Sequence, residues 1–195
     1  MNNDEGRGLN KNWYVLFTKT GYEDRVLMQM KKCFTLEEVS PFIPKYEYYH
    51  KYANKKVQKE FKAMFPSYIF LESSCDNNEF YDLTRRFIRH FENPLKLLKY
   101  GKSSEMIMRE QEKAFLMSLY NEEKCLLASV GFIIGDHIII TDGPLMGRES
   151  IIRKIDRSRK RATIEIEMMG RTIKVYVGLD ILEKRTHRNL EILET

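Results

Sequence analysis

Between Arg161 and Val177 apolar and polar residues alternate with strict period two. Ala162, Ile164, Ile166 and Met168 are set against Arg161, Thr163, Glu165 and Glu167; Ile173, Val175 and Val177 against Thr172, Lys174 and Tyr176. Successive side chains of a strand point to opposite faces, so both runs are strands with one face buried and one wet. Gly170, between the runs, supplies the left-handed backbone that a tight hairpin needs. From about residue 129 onward the pattern is nearly pure strand. A barrel of about five short strands is the economical solution, because closure leaves little exposed edge. At roughly 60 residues such a barrel is only modestly stable alone.

The residues upstream read differently. Trp13 to Phe17 form an aromatic and β-branched run, a first strand. Thr20 and Glu23 stand in capping-box spacing, and Val26, Leu27, Met30, Cys33 and Phe34 follow at helical intervals. Pro41 and Pro44 bracket a turn into a second extended segment. Phe65-Pro66-Ser67-Tyr68-Ile69-Phe70-Leu71 is a strand begun by a proline. Asp76-Asn77-Asn78 offer caps for a helix carrying Phe80, Leu83 and Phe87; residues 95–100 suggest a short strand, and 105–120 a third helix. The order β-α-β-β-α-β-α predicts an antiparallel sheet covered by helices, so the whole chain is α+β.

Hydrophobic residues make up 43% of the 195 and charged residues 31%, an ordinary globular balance. The longest apolar runs, such as Phe132 to Ile134, fall far short of the ~20 residues a membrane span needs. The N-terminal MNNDEGRGLNKN has no apolar signal core and reads as a lead-in without a fold of its own, so the cytoplasm is the expected compartment. Cys33, Cys75 and Cys125 have no CxxC partner, and His50, His90, His137 and His187 are scattered; neither a metal site nor a disulfide framework is expected. GxGxxG, P-loop, HExxH and GxSxG are all missing, and Glu110 and Glu112 point different ways on a helix. No catalysis and no cofactor are expected.

The net charge of +5 favours an acidic partner, and its distribution matters more than its sum. In residues 45–62, Lys51, Lys55, Lys56 and Lys59 interleave with Tyr46, Tyr48, Tyr49 and Tyr52. This is a lysine-rich hairpin suited to a phosphate backbone, DNA or RNA, with rings for stacking; equally, its lysines could simply keep a strand edge from aggregating. In 153–161 six basic residues, Arg153, Lys154, Arg157, Arg159, Lys160 and Arg161, face a single acid, Asp156; Arg171 and Lys174 could extend the patch. That loop has no aromatic platform of its own, which suits reading of structured RNA by shape and phosphate.

Gly135 to Gly147, with Asp142-Gly143-Pro144 at its turn, resembles the KOW motif, and Met169-Gly170-Arg171 with Val177-Gly178-Leu179 resembles its distal hairpin; Ser150 replaces a glycine often found there. A KOW motif alone also suits ribosomal and general RNA-binding proteins. Trp13-Tyr14-Val15 before a helix, and later Phe65 to Phe70, resembles the N-terminal (NGN) domain of the NusG transcription factors, in the family's order. The chain is identified as resembling a specialised NusG/RfaH paralogue, most like the LoaP group of antiterminators. The resemblance implies an NGN domain at 11–118, a linker at 119–128, a KOW barrel at 129–186 and a tail at 187–195. It further implies a monomer that docks on the clamp helices of the largest subunit of bacterial RNA polymerase through Phe17, Tyr68, Phe70 and Tyr100. Tyr68 and Phe70 share a strand face, so they are expected to be exposed together. A second contact falls on the helix at 79–90, where Thr84, Arg85 and Arg86 are candidates. The KOW domain is expected to take a nascent RNA hairpin, with upstream DNA as a further target of the lysine hairpin. The alternative is contact with ribosomal protein or Rho through Leu145, Met146, Met168 and Met169, of which Met169 is the better candidate for exposure. The β pattern predicts strands, not a helical hairpin, for the C-terminal region.

Overall fold

The ring-bearing, β-branched run after Lys11 becomes strand β1 (Asn12–Phe17) in the computed structural model, which describes residues 11–185. The expected lead-in, the C-terminal tail and His187 lie outside the described residues. In chain order follow α1 (Glu23–Cys33), β2 (Ser40–Phe42), β3 (Lys45–Lys51), β4 (Val57–Ala63), β5 (Tyr68–Ser73), α2 (Asn77–His90), β6 (Lys96–Leu97) and α3 (Glu110–Leu119). The chain divides into two compact units. The first comprises residues up to Pro44, Phe65–Ala114 and Met168–Arg171; the second comprises Lys45–Met64, Phe115–Glu167 and the residues from Thr172 on. The cut therefore does not fall at 119–128. The hairpin β3–β4 belongs to the second unit.

In the first unit the sheet order is β2-β5-β1-β6, with β1 antiparallel to both β5 and β6 and β2 antiparallel to β5. Pro41, with no amide to donate, sits in the edge strand β2, where the loss is tolerated. Tyr14, Leu16, Ile69 and Leu71 pack with Val26 and Met30 of α1 and Phe80 of α2, all fully buried. The rings of Tyr14 and Phe80 stack at 3.6 Å. Burial of side chains this size stabilises by roughly 1.5–3 kcal/mol each. The opposite face buries Trp13, Val15, Phe65 and Phe70.

The capping box expected on Thr20 and Glu23 is not formed. Tyr22 caps α1 without a side-chain bond, and the Glu23 carboxylate instead accepts from Gly21 N (2.6 Å) and Ser67 N (2.7 Å). Ser67 has φ +72°, and in this turn before β5 its amide finds its acceptor in the Glu23 carboxylate. Asp76 does form its box: it accepts from Asn78 N and Glu79 N, and Glu79 accepts from Asp76 N.

The second unit continues with β7 (Cys125–Leu126), β8 (Ser129–Ile134), β9 (His137–Asp142), a single 3-10 turn at Glu149–Ile151, β10 (Ile152–Asp156), β11 (Arg161–Met168) and β12 (Arg171–Arg185). Along β11 the apolar set Ala162, Ile164, Ile166 and Met168 is buried, as the alternation requires, and the C-terminal region is strand. Five strands line up as β10-β11-β12-β8-β9, the expected number. Among the described residues the row is open, with β9 and β10 at its ends, because tight turns and the 3-10 helix fill residues 143–151 in place of a ladder. A Cβ on Gly143 (φ +94°) would meet Ser129 Cα at 2.7 Å, so the Asp-Gly-Pro turn needs glycine for both backbone and space.

The hairpin β3–β4 pairs in register from Lys45↔Ala63 to Lys51↔Val57 and joins β7 in parallel at Lys45 and Tyr46. The stretch expected as a linker is thus built into the second unit. Glu47, 8% exposed, accepts from Ala128 N (2.9 Å) and from Lys59 Nζ (3.1 Å). Gly178 of β12 comes so close that a Cβ would lie 2.5 Å from Glu47 O. Backbone contact, not side-chain packing alone, seats the hairpin.

Candidate binding surfaces

Phe17 and Tyr68 are register partners at the end of the β1–β5 ladder, and their rings meet edge to face at 5.6 Å. Phe17 is exposed and Tyr68 half-buried. Both line a groove of about 650 Å³ in the first unit, with Tyr81, Ile88, Leu95, Leu97 and Met106 on its apolar wall and Lys96, Lys99, Lys102 and Arg171 around it. Exposed Tyr81 and the three lysines escaped the sequence reading. Their signal was an aromatic beside the buried Phe80 and a lysine at every third position from Lys96.

Two of the four expected docking rings are not available. Phe70 is wholly buried, enclosed by Trp13 (5.9 Å), Phe42 (5.5 Å) and Phe65 (5.5 Å). The expectation that Tyr68 and Phe70 are exposed together fails because burial changes along the strand: Phe70 sits mid-sheet and Tyr68 at its end. Tyr100 is 7% exposed; its hydroxyl donates to Glu112 and accepts from Arg109 N (2.8 Å), and the Arg109 guanidinium covers its ring at 4.2 Å. Burial and the Glu112 bond push the Tyr100 phenol well above its ordinary pKa. On α2, Thr84 is buried and donates to Phe80 O (2.7 Å), so it presents nothing outward, while Arg85 holds Asp82 at 3.2 Å and Arg86 is exposed. Leu145, Met168 and Met169 are buried too, Met169 because the turn it shares with Gly170 bonds to Glu112 through both amides; only Met146 stands out at 58% exposure.

The basic residues of the second unit fall into two groups. Arg153 and Lys174 share Glu165 (2.6 and 3.6 Å), Arg159 and Arg161 share Asp156 (3.7 and 3.3 Å), and Lys160 holds Asp180 at 2.6 Å. The carboxylates of these pairs are partly buried, Glu165 and Asp156 at 24% and Asp180 at 15% side-chain exposure, while most of the cations remain open to solvent. Lys154 and Arg157 are exposed and have no carboxylate partner among the described residues; the same holds for Lys51, Lys55 and Lys56 on the hairpin, whereas Lys59 is held by Glu47. Arg171 does not join them: it belongs to the first unit, in the wall of the groove.

The hairpin and the 157–161 turn meet. Tyr46, Tyr48, Tyr49, His50, Lys51 and Lys62 line a cavity of about 300 Å³ together with residues 158–161. Lys160 Nζ lies 5.2 Å from the Tyr49 ring centre. The loop that carries no ring in sequence is supplied with rings by another segment. Burial raises the Tyr46 phenol, and the hydrogen bond to Glu60 (2.6 Å), ahead of burial, pushes Tyr48 up to about 12. Among the described residues no cluster of three or more His, Cys, Asp and Glu is arranged to hold a metal, and no helix is long and apolar enough to cross a membrane.

Proteins called "Transcription termination/antitermination protein NusG" from Staphylococcus epidermidis and Rickettsia felis are similar to this chain. The first is 22% identical over 178 residues, covering 89% of this chain and 96% of the relative; the second is 21% identical over 179 residues, covering 89% and 90%. A solved chain described as "Domain interaction in Thermotoga maritima NusG" aligns at 22% identity over 86% of this chain and 93% of its own length, with a TM-score of 0.45. Residues 11–117 match the family described as "Transcription termination factor nusG", more than half of the chain, and the protein belongs to the NusG family of transcription termination/antitermination factors.

Proposed function

We propose that this chain is a specialised NusG paralogue of the LoaP kind, an antiterminator that grips RNA polymerase with its first unit and nascent structured RNA with its second. The reading rests above all on the Phe17–Tyr68 pair, rings left open on an apolar groove with a basic rim. Aromatic anchors in a water-excluding patch carry most of the energy of a protein interface, and lysines around it favour an acidic partner. The clamp helices of the polymerase's largest subunit are that partner. Binding the elongating form better than the paused form shifts the population towards elongation and away from termination. The second unit, an NGN-derived hairpin joined to a KOW-type sheet, holds RNA through cations whose phosphate contacts release counterions and weaken with salt.

The test is binding of the full chain to core polymerase, together with transcription through a terminator. Phe17→Ala is expected to weaken polymerase binding about 30-fold, the equivalent of ~2 kcal/mol at a hot spot, and to leave RNA binding unchanged. Charge reversal at Lys154 and Arg157 does the opposite. Polymerase binding unaltered in Phe17→Ala and Tyr68→Ala alike overturns the docking assignment.

A further inference from the structure

We propose that the cavity between the hairpin and the 157–161 turn is a site for a single unpaired nucleotide, so that the RNA this unit takes is one with an extruded or looped-out base. This deepens the reading of the second unit as an RNA-binding surface and rests on it. Tyr46, Tyr48 and His50 stand on one face of β3 at two-residue intervals, with ring centres 6.0 and 6.1 Å apart; Tyr52 extends the row at 4.4 Å from His50. Stacked nucleotides repeat every ~3.4 Å along a strand, so these rings cannot each take a successive base of a helical stack. A single base drawn out of its stack can instead lie against one ring of the row, as in single-strand binding.

Cations surround the row. Lys62 Nζ lies 4.2 Å over the Tyr48 ring, and Arg159 and Arg161 line the same cavity from the turn. Of the carboxylates nearby, Glu60 accepts from the hydroxyls of Tyr48 and Tyr52, and Asp156 accepts from Arg161 Nε (3.3 Å) and is paired with Arg159 at 3.7 Å. The phenols remain neutral at physiological pH and do not repel phosphate. At about 300 Å³ the cavity is at the small end of ligand sites, which run from ~300 to ~1,000 Å³. It admits one nucleotide and no duplex.

The experiment uses the full chain and three probes: a short single-stranded RNA carrying one fluorescent purine analogue, the same strand as DNA, and a blunt RNA duplex with every base paired. Binding of the single-stranded RNA is expected to quench the analogue. Tyr48→Ala is expected to abolish the quenching and weaken that complex about 10-fold, while Tyr48→Phe, which keeps the ring, retains both. The duplex is expected to bind more weakly, equally to all three proteins, and without response to Tyr48. If the RNA strand binds but Tyr48→Ala changes neither affinity nor quenching, the nucleotide site is wrong and RNA binding by this unit stands. If DNA binds as well as RNA and responds equally to Tyr48→Ala, the nucleotide site stands and the assignment of RNA as this unit's partner is overturned. If neither RNA probe binds in a salt-dependent way, the underlying RNA reading fails as well.

Discussion

Glu47→Ala tests the feature on which the second unit's surface depends, the seating of the hairpin. Glu47 is 8% exposed and its carboxylate accepts from Ala128 N at 2.9 Å, an amide of a residue 7% exposed. Without the carboxylate that amide is buried and unpaired, at a cost of about 1–3 kcal/mol. Loss of the ion pair to Lys59, whose side chain is 52% exposed, adds only about 0–1 kcal/mol. The sum is about 1–4 kcal/mol, and at ~2–4 °C per kcal/mol for a chain of this size the melting temperature falls by roughly 2–16 °C. Glu47→Gln keeps an acceptor for Ala128 and forfeits chiefly the ion pair, so it is expected to fall by a few degrees at most. Thermal unfolding followed by circular dichroism gives both values, and hydrogen exchange of residues 45–64 and 125–130 shows where protection is lost. Equal, negligible shifts in the two variants would refute the reasoning, for then no buried amide depends on this carboxylate and the hairpin is not anchored where the tyrosine row meets the basic turn.

Two further outcomes follow from the same unit. Gly178→Ala puts a Cβ 2.5 Å from Glu47 O and 2.7 Å from Ala128 Cβ, neither of which lies on a flexible side chain, so a loss of about 1–3 kcal/mol is expected in equilibrium unfolding; an unchanged midpoint contradicts the close approach. Tyr48, held up to about 12 first by its bond to Glu60, favours the neutral phenol in the folded state, so its contribution is present below pH 10 and lost as pH rises from there through 12. Glu60, held below the ordinary carboxylate range by the hydroxyls of Tyr48 and Tyr52, contributes above its unfolded value and loses that as pH falls through its folded one. Phenolate absorbance should show a component near 12, ahead of the later-ionising Tyr14, Tyr100 and Tyr120, that Tyr48→Phe removes and Glu60→Gln moves back towards 10; a titration identical in wild type and Glu60→Gln rejects the assignment.

Whatever depends on near neighbours along the chain was legible in the residues alone. Period-two alternation from Arg161 to Val177, the Gly170 turn, the Asp76 cap and the 3-and-4 spacing of α2 are local codes, because side-chain direction in a strand or helix follows from backbone geometry alone. The motifs that place the chain in its family are of the same kind. Which faces meet emerges with the packed fold. Phe70 and Tyr68 obey one parity, yet one is sealed by Trp13, Phe42 and Phe65 and the other lies at an open strand end, a difference that no local pattern encodes. The capping role expected of Glu23 passed to an amide 44 residues away. Two basic segments read separately turned out to share one cavity, because a glycine at 178 and a carboxylate at 47 let distant backbones close on each other. Long-range contacts of this sort are chosen by packing and by the need to satisfy buried polar groups, and both are properties of the assembled fold.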